Sequence, residues 1–399
     1  MELRQHWNLS PDVVFLNHGS FGACPRVVLE TQDRWRAEME RQPVEFFARR
    51  MEGLLDQARE PLAAFIGVAS DDLAFVPNTT AGINAVLRSL GFEPGDELLT
   101  TDHEYNAVGN AMRFVAARAG ARVVVARIPL PLEDPEQVVQ AVLGSVTRAT
   151  RIAVLDHVTS PTGLVFPVER LVRELTDRGV DTLVDGAHAP GMVPLDLDRL
   201  GAAYYVGNCH KWICAPKGAG FLHVRRDRQD GIVPTSVSHG ANDPRTERSG
   251  FRKLFDWTGT DDPTAYLCVP EAIRFVGSLL PGGWPGVMEA NRELVLRGRN
   301  AVSLALGVEP PSPQSMVGSM AAIPLPDDTG SAPPASSLFV DPLKDVLLER
   351  WGIEVPIIPW PAWPKRLVRI SAQIYNRPEE YGLLGEALAE LLVVPSTGK

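Results

Sequence analysis

The sequence predicts an α/β fold, with a mainly parallel, seven-stranded sheet in a large unit and a smaller α+β unit beside it. Seven short apolar runs fall between residues 73 and 224, separated by stretches of helical periodicity or by loops. Such alternation builds βαβ units, whose crossover helices cover both faces of a parallel sheet. Past residue 265 the pattern changes to a long helical region followed by mixed strands and helices. With 399 residues, 45% of them hydrophobic, the chain can bury more than one core. Residues 15–265 are read as the large unit, and 1–14 with 266–399 as the smaller one.

The elements follow in order. Residues 25–66 have helical patterning, and Pro61 is expected to kink or interrupt the second helix there. "LAFV" (73–76) leads into a helix over 79–90. "ELLT" (97–100) follows the turn "EPGD", then come a helix over 106–119 and the strand "RVVVARI" (122–128). A helix over 135–146, the strand 151–158, a helix over 167–178 and "DTLVD" (181–185) continue the alternation. Two further apolar runs, 202–207 and 218–224, close the large unit. Beyond it lie a helical region over 263–305, a strand over 318–326 and a loop, "DDTGSAPPASS" (327–337), rich in Pro, Ser and Gly. A helix over 341–351, strands over 353–358 and 366–371, and a helix over 378–393 complete the chain.

Composition narrows the function. The net charge is −10, with acidic and basic residues interspersed and no basic stripe, which argues against nucleic-acid binding. Four scattered cysteines form no CxxC pair and no zinc-like spacing, so no metal site is expected, and a reduced, cytoplasmic setting is. No run approaches the roughly 18 apolar residues of a membrane span. The opening residues lack the apolar core of a signal peptide.

Ligands in such sheets sit outside the carboxyl ends of the strands. "PNTTAGIN" follows the strand at 73–76 and offers Asn78, Thr79 and Thr80, either as an ordinary helix cap or as a phosphate site. "TDHEYNA" supplies His103 and Tyr105. "DGAHA" supplies Asp185 and His188, where Asp185 is either a helix cap or a buried carboxylate that needs a partner. "GNCHKWICAPKGAG" places Lys211 behind His210 and ahead of an apolar run, an unusual setting for a solvated lysine. A phosphate cradle, a carboxylate and an amine at neighbouring strand ends match the needs of pyridoxal 5′-phosphate (PLP).

These motifs, with "FLNHGSFG" (15–22), "HVTSPTG" (157–163), "WTGTDD" (257–262) and "LVRIS" (367–371), resemble the class V aminotransferase-like enzymes of PLP fold type I. The resemblance is narrower still to the isopenicillin N epimerase-like branch, and it covers nearly the whole chain. It implies that Lys211 holds PLP and shuttles the α-proton, that Asp185 pairs with the ring nitrogen, and that His188 bonds the phenolic oxygen with Ser160 near the same edge. Asn78, Thr79, Thr80, Asn208 and His210 are implied for the phosphate. Thr260 is implied to reach the phosphate of a second subunit in a homodimer with shared sites. His103 is implied to stack on the ring, with His103 or Tyr105 as a second acid or base. Arg369 is implied to clamp the substrate carboxylate, with Asn17, His18 and Ser20 also on the substrate side.

The chain departs from the family pattern in places. Asn208 replaces a small hydroxyl residue, Asp261 stands where "GTRD" is common, and His239 replaces part of a Trp-Gly pair. No cysteine follows Cys268, which disfavours a desulfurase that forms a persulfide on the loop near 356–363. Lys217 is the competing lysine, ahead of a glycine turn. The reaction expected from the resemblance is chemistry at the α-carbon of an amino acid, through aldimine and quinonoid intermediates, with epimerisation in secondary metabolism ranked first. C–S β-lysis of an S-substituted cysteine, decarboxylation-coupled oxidative deamination, transamination and a cofactor-free scaffold are the alternatives, in that order.

Overall fold

The computed structural model describes residues 3–330 and 341–392. Its strands, in chain order, are β1 (Val14–Phe15), β2 (Leu73–Val76), β3 (Glu97–Thr101), β4 (Arg122–Ala126), β5 (Thr150–Asp156) and β6 (Asp181–Gly186). β7 (Tyr204–Asn208), β8 (Gly220–Val224), β9 (Met320–Leu325), β10 (Ile353–Glu354), β11 (Ile357–Pro359) and β12 (Arg366–Ser371) follow. β2 to β8 form one seven-stranded sheet in the order β2-β8-β7-β6-β5-β3-β4. Every pairing from β7 to β4 is parallel, and β8 alone runs against its two neighbours. The expected mainly parallel sheet is therefore present. The carboxyl ends of β2, β3, β5, β6 and β7 all open on one edge.

Period-two alternation explains how the sheet buries both faces. Leu73 and Phe75 pack into one core while Ala74 and Val76 pack into the other. Ala153 and Leu155 are likewise divided from Ile152 and Val154. The helices Thr79–Ser89 and Asn106–Ala119 cover the second face, and Met51–Ile66 and Val168–Thr176 the first. A third core lies between the three-stranded antiparallel sheet β11-β12-β9 and the packed helices Gly283–Leu306 and Pro378–Leu391.

Several boundaries differ from expectation. Pro61 sits inside the helix Met51–Ile66, whose Leu55, Leu62 and Ile66 are buried, so packing outweighs the lost backbone bond. The interruption falls earlier, at Gln42, which is held off helical dihedrals ahead of Pro43. The region 263–305 divides into Thr264–Leu267, Val269–Gly277 and Gly283–Leu306. The run at 353–358 splits as well: β10 pairs with β1, and β11 with β12. That split serves the site, because the β1–β10 pair carries the chain directly into residues 17–22. The loop expected over 327–337 lies partly outside the described residues.

Candidate active site

Three adjacent strand ends and a fourth from β2 assemble the site. Lys211 lies just beyond β7, in a turn stiffened by backbone bonds from Cys214 N to Lys211 O (3.1 Å) and from Ala215 N to Cys209 O (3.0 Å). Gly22 packs against that turn from the loop after β1, at φ 69°. A Cβ there would stand 2.2 Å from the His210 carbonyl oxygen. His18 closes the other side. Its Nδ1 accepts from Ala23 N (3.3 Å), so the neutral ring carries its proton on Nε2 and donates to the Lys211 carbonyl (3.1 Å). Wholly buried and bonded also to Tyr375 (2.8 Å), His18 has no free atom to offer a substrate; it braces Lys211 instead. Burial holds its pKa at about 3.

The Lys211 amine is set by the same tautomer logic. Trp212 Nε1–H donates to His188 Nδ1 (3.4 Å), which leaves the proton of a neutral His188 on Nε2. That nitrogen lies 3.1 Å from Lys211 Nζ, so the geometry suits a neutral amine that accepts. Burial first, then the charge of Arg369, bring the Lys211 pKa from 10.5 to about 7, with Asp185 pulling it back up. Lys217 is engaged elsewhere, donating to the Gly22 carbonyl (2.9 Å).

Asp185 is the last residue but one of β6 and is 3% exposed. Its Oδ1 accepts from Ala187 N (2.8 Å), and no helix begins there, so the helix-cap reading does not hold. Asn78 is the true cap of its helix, accepting from Ala81 N (2.9 Å), which commits its oxygen to the backbone. Asn208 Oδ1 accepts from Thr79 N (2.9 Å), tying β7 to the same helix start. Thr79 Oγ1 is buried without a partner among the described residues, and His210 is fixed through Nδ1 to the Ala219 carbonyl (2.9 Å). Thr80 is partly exposed on the first turn.

On the other flank, Arg369 rises from β12. One nitrogen donates to Ser20 Oγ (3.0 Å) and another to the Ser160 carbonyl, while Nε is buried with no partner among the described residues. Ser20 donates to Asn17 Oδ1, and Asn17 donates to Glu354 Oε1 (3.2 Å), so a relay from β10 aims the guanidinium. Burial lowers the Arg369 pKa to about 10, and the nearby Tyr105 phenol pulls it back. Tyr105 is 43% exposed. His103 is wholly buried, bonded through Nδ1 to Thr162 Oγ1 (2.8 Å), with its ring centre 4.6 Å from Trp360 and Nε2 without a partner among the described residues. Burial holds it near a pKa of 4.

Lys211, Asp185, His188, Thr79, Asn208, Ser20, Ser160 and Arg369 are thus brought together. Thr260 is not; it is exposed on the segment after helix Gly250–Asp256, which salt bridges from Arg59 and Arg248 to Asp256 hold in place. Gly259 and Asp261 of that segment face Pro77 and Ala81 across a cleft of about 260 Å³. His239 is exposed. Sequence reasoning missed Glu104, Asp156, Thr162, Trp212 and Trp360. Asp156 carried the signal that selected Asp185, a carboxylate at a buried strand end, and Glu104 stands between two residues already chosen.

The residues present fit PLP. The Thr79 hydroxyl, without a partner among the described residues, and the Asn208 and His210 side chains beside it suit a phosphate, the enclosed Asp185 suits a cationic ring nitrogen, and Lys211 is a poorly solvated amine between them.

Comparison with known proteins follows from this geometry. The family model "Aminotransferase class-V" matches residues 13–279. An isopenicillin N epimerase from Amycolatopsis lactamdurans is 38% identical over 402 residues, covering 97% of each chain. A probable chloroplastic L-cysteine desulfhydrase from Arabidopsis thaliana is 30% identical over 96% of this chain and 83% of its own. A lysine-to-alanine mutant of C-DES, with glycine covalently linked to the PLP cofactor, superposes with a TM-score of 0.79 at 22% identity, over 97% of this chain and 99% of that one.

Proposed function

The chain belongs to the class-V aminotransferase family and is a PLP-dependent enzyme, and on that premise we propose that it epimerises the α-carbon of an amino acid or amino-acid conjugate of the isopenicillin N type. Bound PLP supplies an electron sink for whichever bond at the substrate α-carbon breaks. Lys211 holds the cofactor and then moves the α-proton at Nζ. Asp185 pairs with the ring nitrogen, His188 with the phenolic oxygen, and Thr79, Thr80, Asn208 and His210 with the phosphate. In a homodimer, the exposed Thr260 serves the phosphate of the neighbouring subunit. Arg369 binds the substrate carboxylate in a two-pronged contact. A natural-product pathway in the cytoplasm is the setting that fits this reading.

The observation that carries epimerisation is the pairing of two proton-bearing groups around one carboxylate clamp. The amine of Lys211 has a pKa near 7, and the Tyr105 phenol is close enough to Arg369 to act on its charge. Epimerisation needs a base on one face and an acid on the other. C–S lysis needs only Lys211 and a leaving group, and the likeness to the Arabidopsis desulfhydrase supports it as the second reading.

One experiment separates them. The purified holoenzyme is incubated in D₂O with isopenicillin N and with a panel of S-substituted cysteines. A deuterium at the α-carbon with inverted configuration supports epimerisation. Pyruvate with a released thiol overturns it in favour of lysis.

A further inference from the structure

A group of three carboxyls lies at the Asp185 end of the cradle. One oxygen each of Glu104, Asp156 and Asp185 sits within 4.8 Å of the others. Topology makes this unavoidable: β3, β5 and β6 are neighbours, and Asp156 is in register with Asp185. Glu104 is held by Thr100 Oγ1 and by Tyr105 N, both at 2.9 Å. Asp156 is 2% exposed, and its Oδ2 has no partner among the described residues.

Like charges this close and this poorly solvated cannot all ionise. The groups facing the cluster offer little relief. Lys211 acts on Asp185, while Tyr205, raised by burial and then by the same Asp185, stays a neutral phenol. His103 and His188 are buried neutral imidazoles. Burial and the Asp185 charge push Glu104 up to about 8, and Asp156 rises for the same reasons with Glu104 added.

We propose that Glu104 and Asp156 are positioning residues that keep a proton in store with Asp185, and that this proton leaves when the cofactor docks with its ring nitrogen already protonated. The step balances: a carboxyl O–H breaks, the proton passes to solvent, and the new carboxylate faces the ring cation. Cofactor uptake is thereby coupled to the release of a proton. This inference rests on Asp185 as the partner of the ring nitrogen.

The test uses the cofactor-free full chain and pyridoxine 5′-phosphate, which has the ring nitrogen and the phosphate but no aldehyde. Calorimetry in two buffers of different ionisation enthalpy gives the protons released on binding. Glu104→Gln can still accept from Tyr105 N and can donate to Thr100 Oγ1, and Asp156→Asn is the second variant. The Glu104→Gln/Asp156→Asn pair is expected to release about one proton fewer than the wild type, with each single variant in between. Equal release in all forms overturns the proposal. Asp185→Asn is expected to weaken binding at least about tenfold; if affinity is unchanged, the assignment of Asp185 itself falls, which is a separate result.

Discussion

Lys211→Met in the cofactor-free protein should raise stability, and the gain should fade as pH rises. The folded-state pKa of Lys211 lies below its unfolded value, about 7 against 10.5. The unfolded chain therefore binds more protons between those two values, and wild-type stability increases with pH across that window. Below about pH 7 both states are protonated, and the full penalty for a buried ammonium applies. At about 1.4 kcal/mol per pKa unit, the difference sets a ceiling of about 5 kcal/mol. Replacing a buried charge by an apolar chain of similar length removes that penalty. It also strands the His188 Nε2 proton, which costs about 1–2 kcal/mol. A net gain of about 3 kcal/mol is expected near pH 7, shrinking at about 1.4 kcal/mol per pH unit towards pH 10. Urea unfolding followed by ellipticity, at several pH values, measures it. A variant no more stable than wild type, with a pH-independent difference, would refute the claim that Lys211 is held as a strained base.

Trp212→Phe removes the donor that selects the His188 tautomer, so Nε2 becomes free to accept from an ammonium; the midpoint for labelling Lys211 with an amine reagent should move up by about one unit. An unmoved midpoint would show that burial alone sets the amine. Arg369→Lys keeps the charge but not the fork, and should raise KM about tenfold or more with a smaller change in kcat. Gly22→Ala forces a side chain at φ 69° into the His210 carbonyl and should cost at least about 2 kcal/mol, read as a fall in Tm.

What was legible in the sequence is what repeats or what is chemically odd in place. The strand alternation predicted the sheet, since each apolar run needed two covered faces. Lys211 and Asp185 stood out because charge in an apolar strand end demands a partner. His18 was misplaced because its motif reveals proximity to the site but not which way a ring nitrogen points. The direction depends on Ala23 N and Tyr375, the second of which lies 357 residues away. Glu104 was passed over for a similar reason. Its significance comes from Asp156 and Asp185 on neighbouring strands, and strand order is not written in any single segment. Pro61 shows the converse, a strong local rule overruled by the packing of Leu55, Leu62 and Ile66.

The histidines deserve a different reading from the one their number invites. His18, His103, His157 and His210 are each held at a pKa of about 3 to 4, burial being the largest cause in every case, and His188 falls well below its usual value for the same reason with Lys211 and Arg369 added. An imidazole normally titrates between pH 5 and 8. Here that range is left to two groups that ordinarily titrate outside it: Lys211 comes down to about 7, and Glu104 goes up to about 8. The exchange has a structural logic. A neutral imidazole offers one donor and one acceptor in fixed directions, so these rings act as braces for Lys211 and the site loops. Proton traffic is left to an amine at one end of the cradle and a carboxyl cluster at the other, beside the substrate carbon and the ring nitrogen respectively.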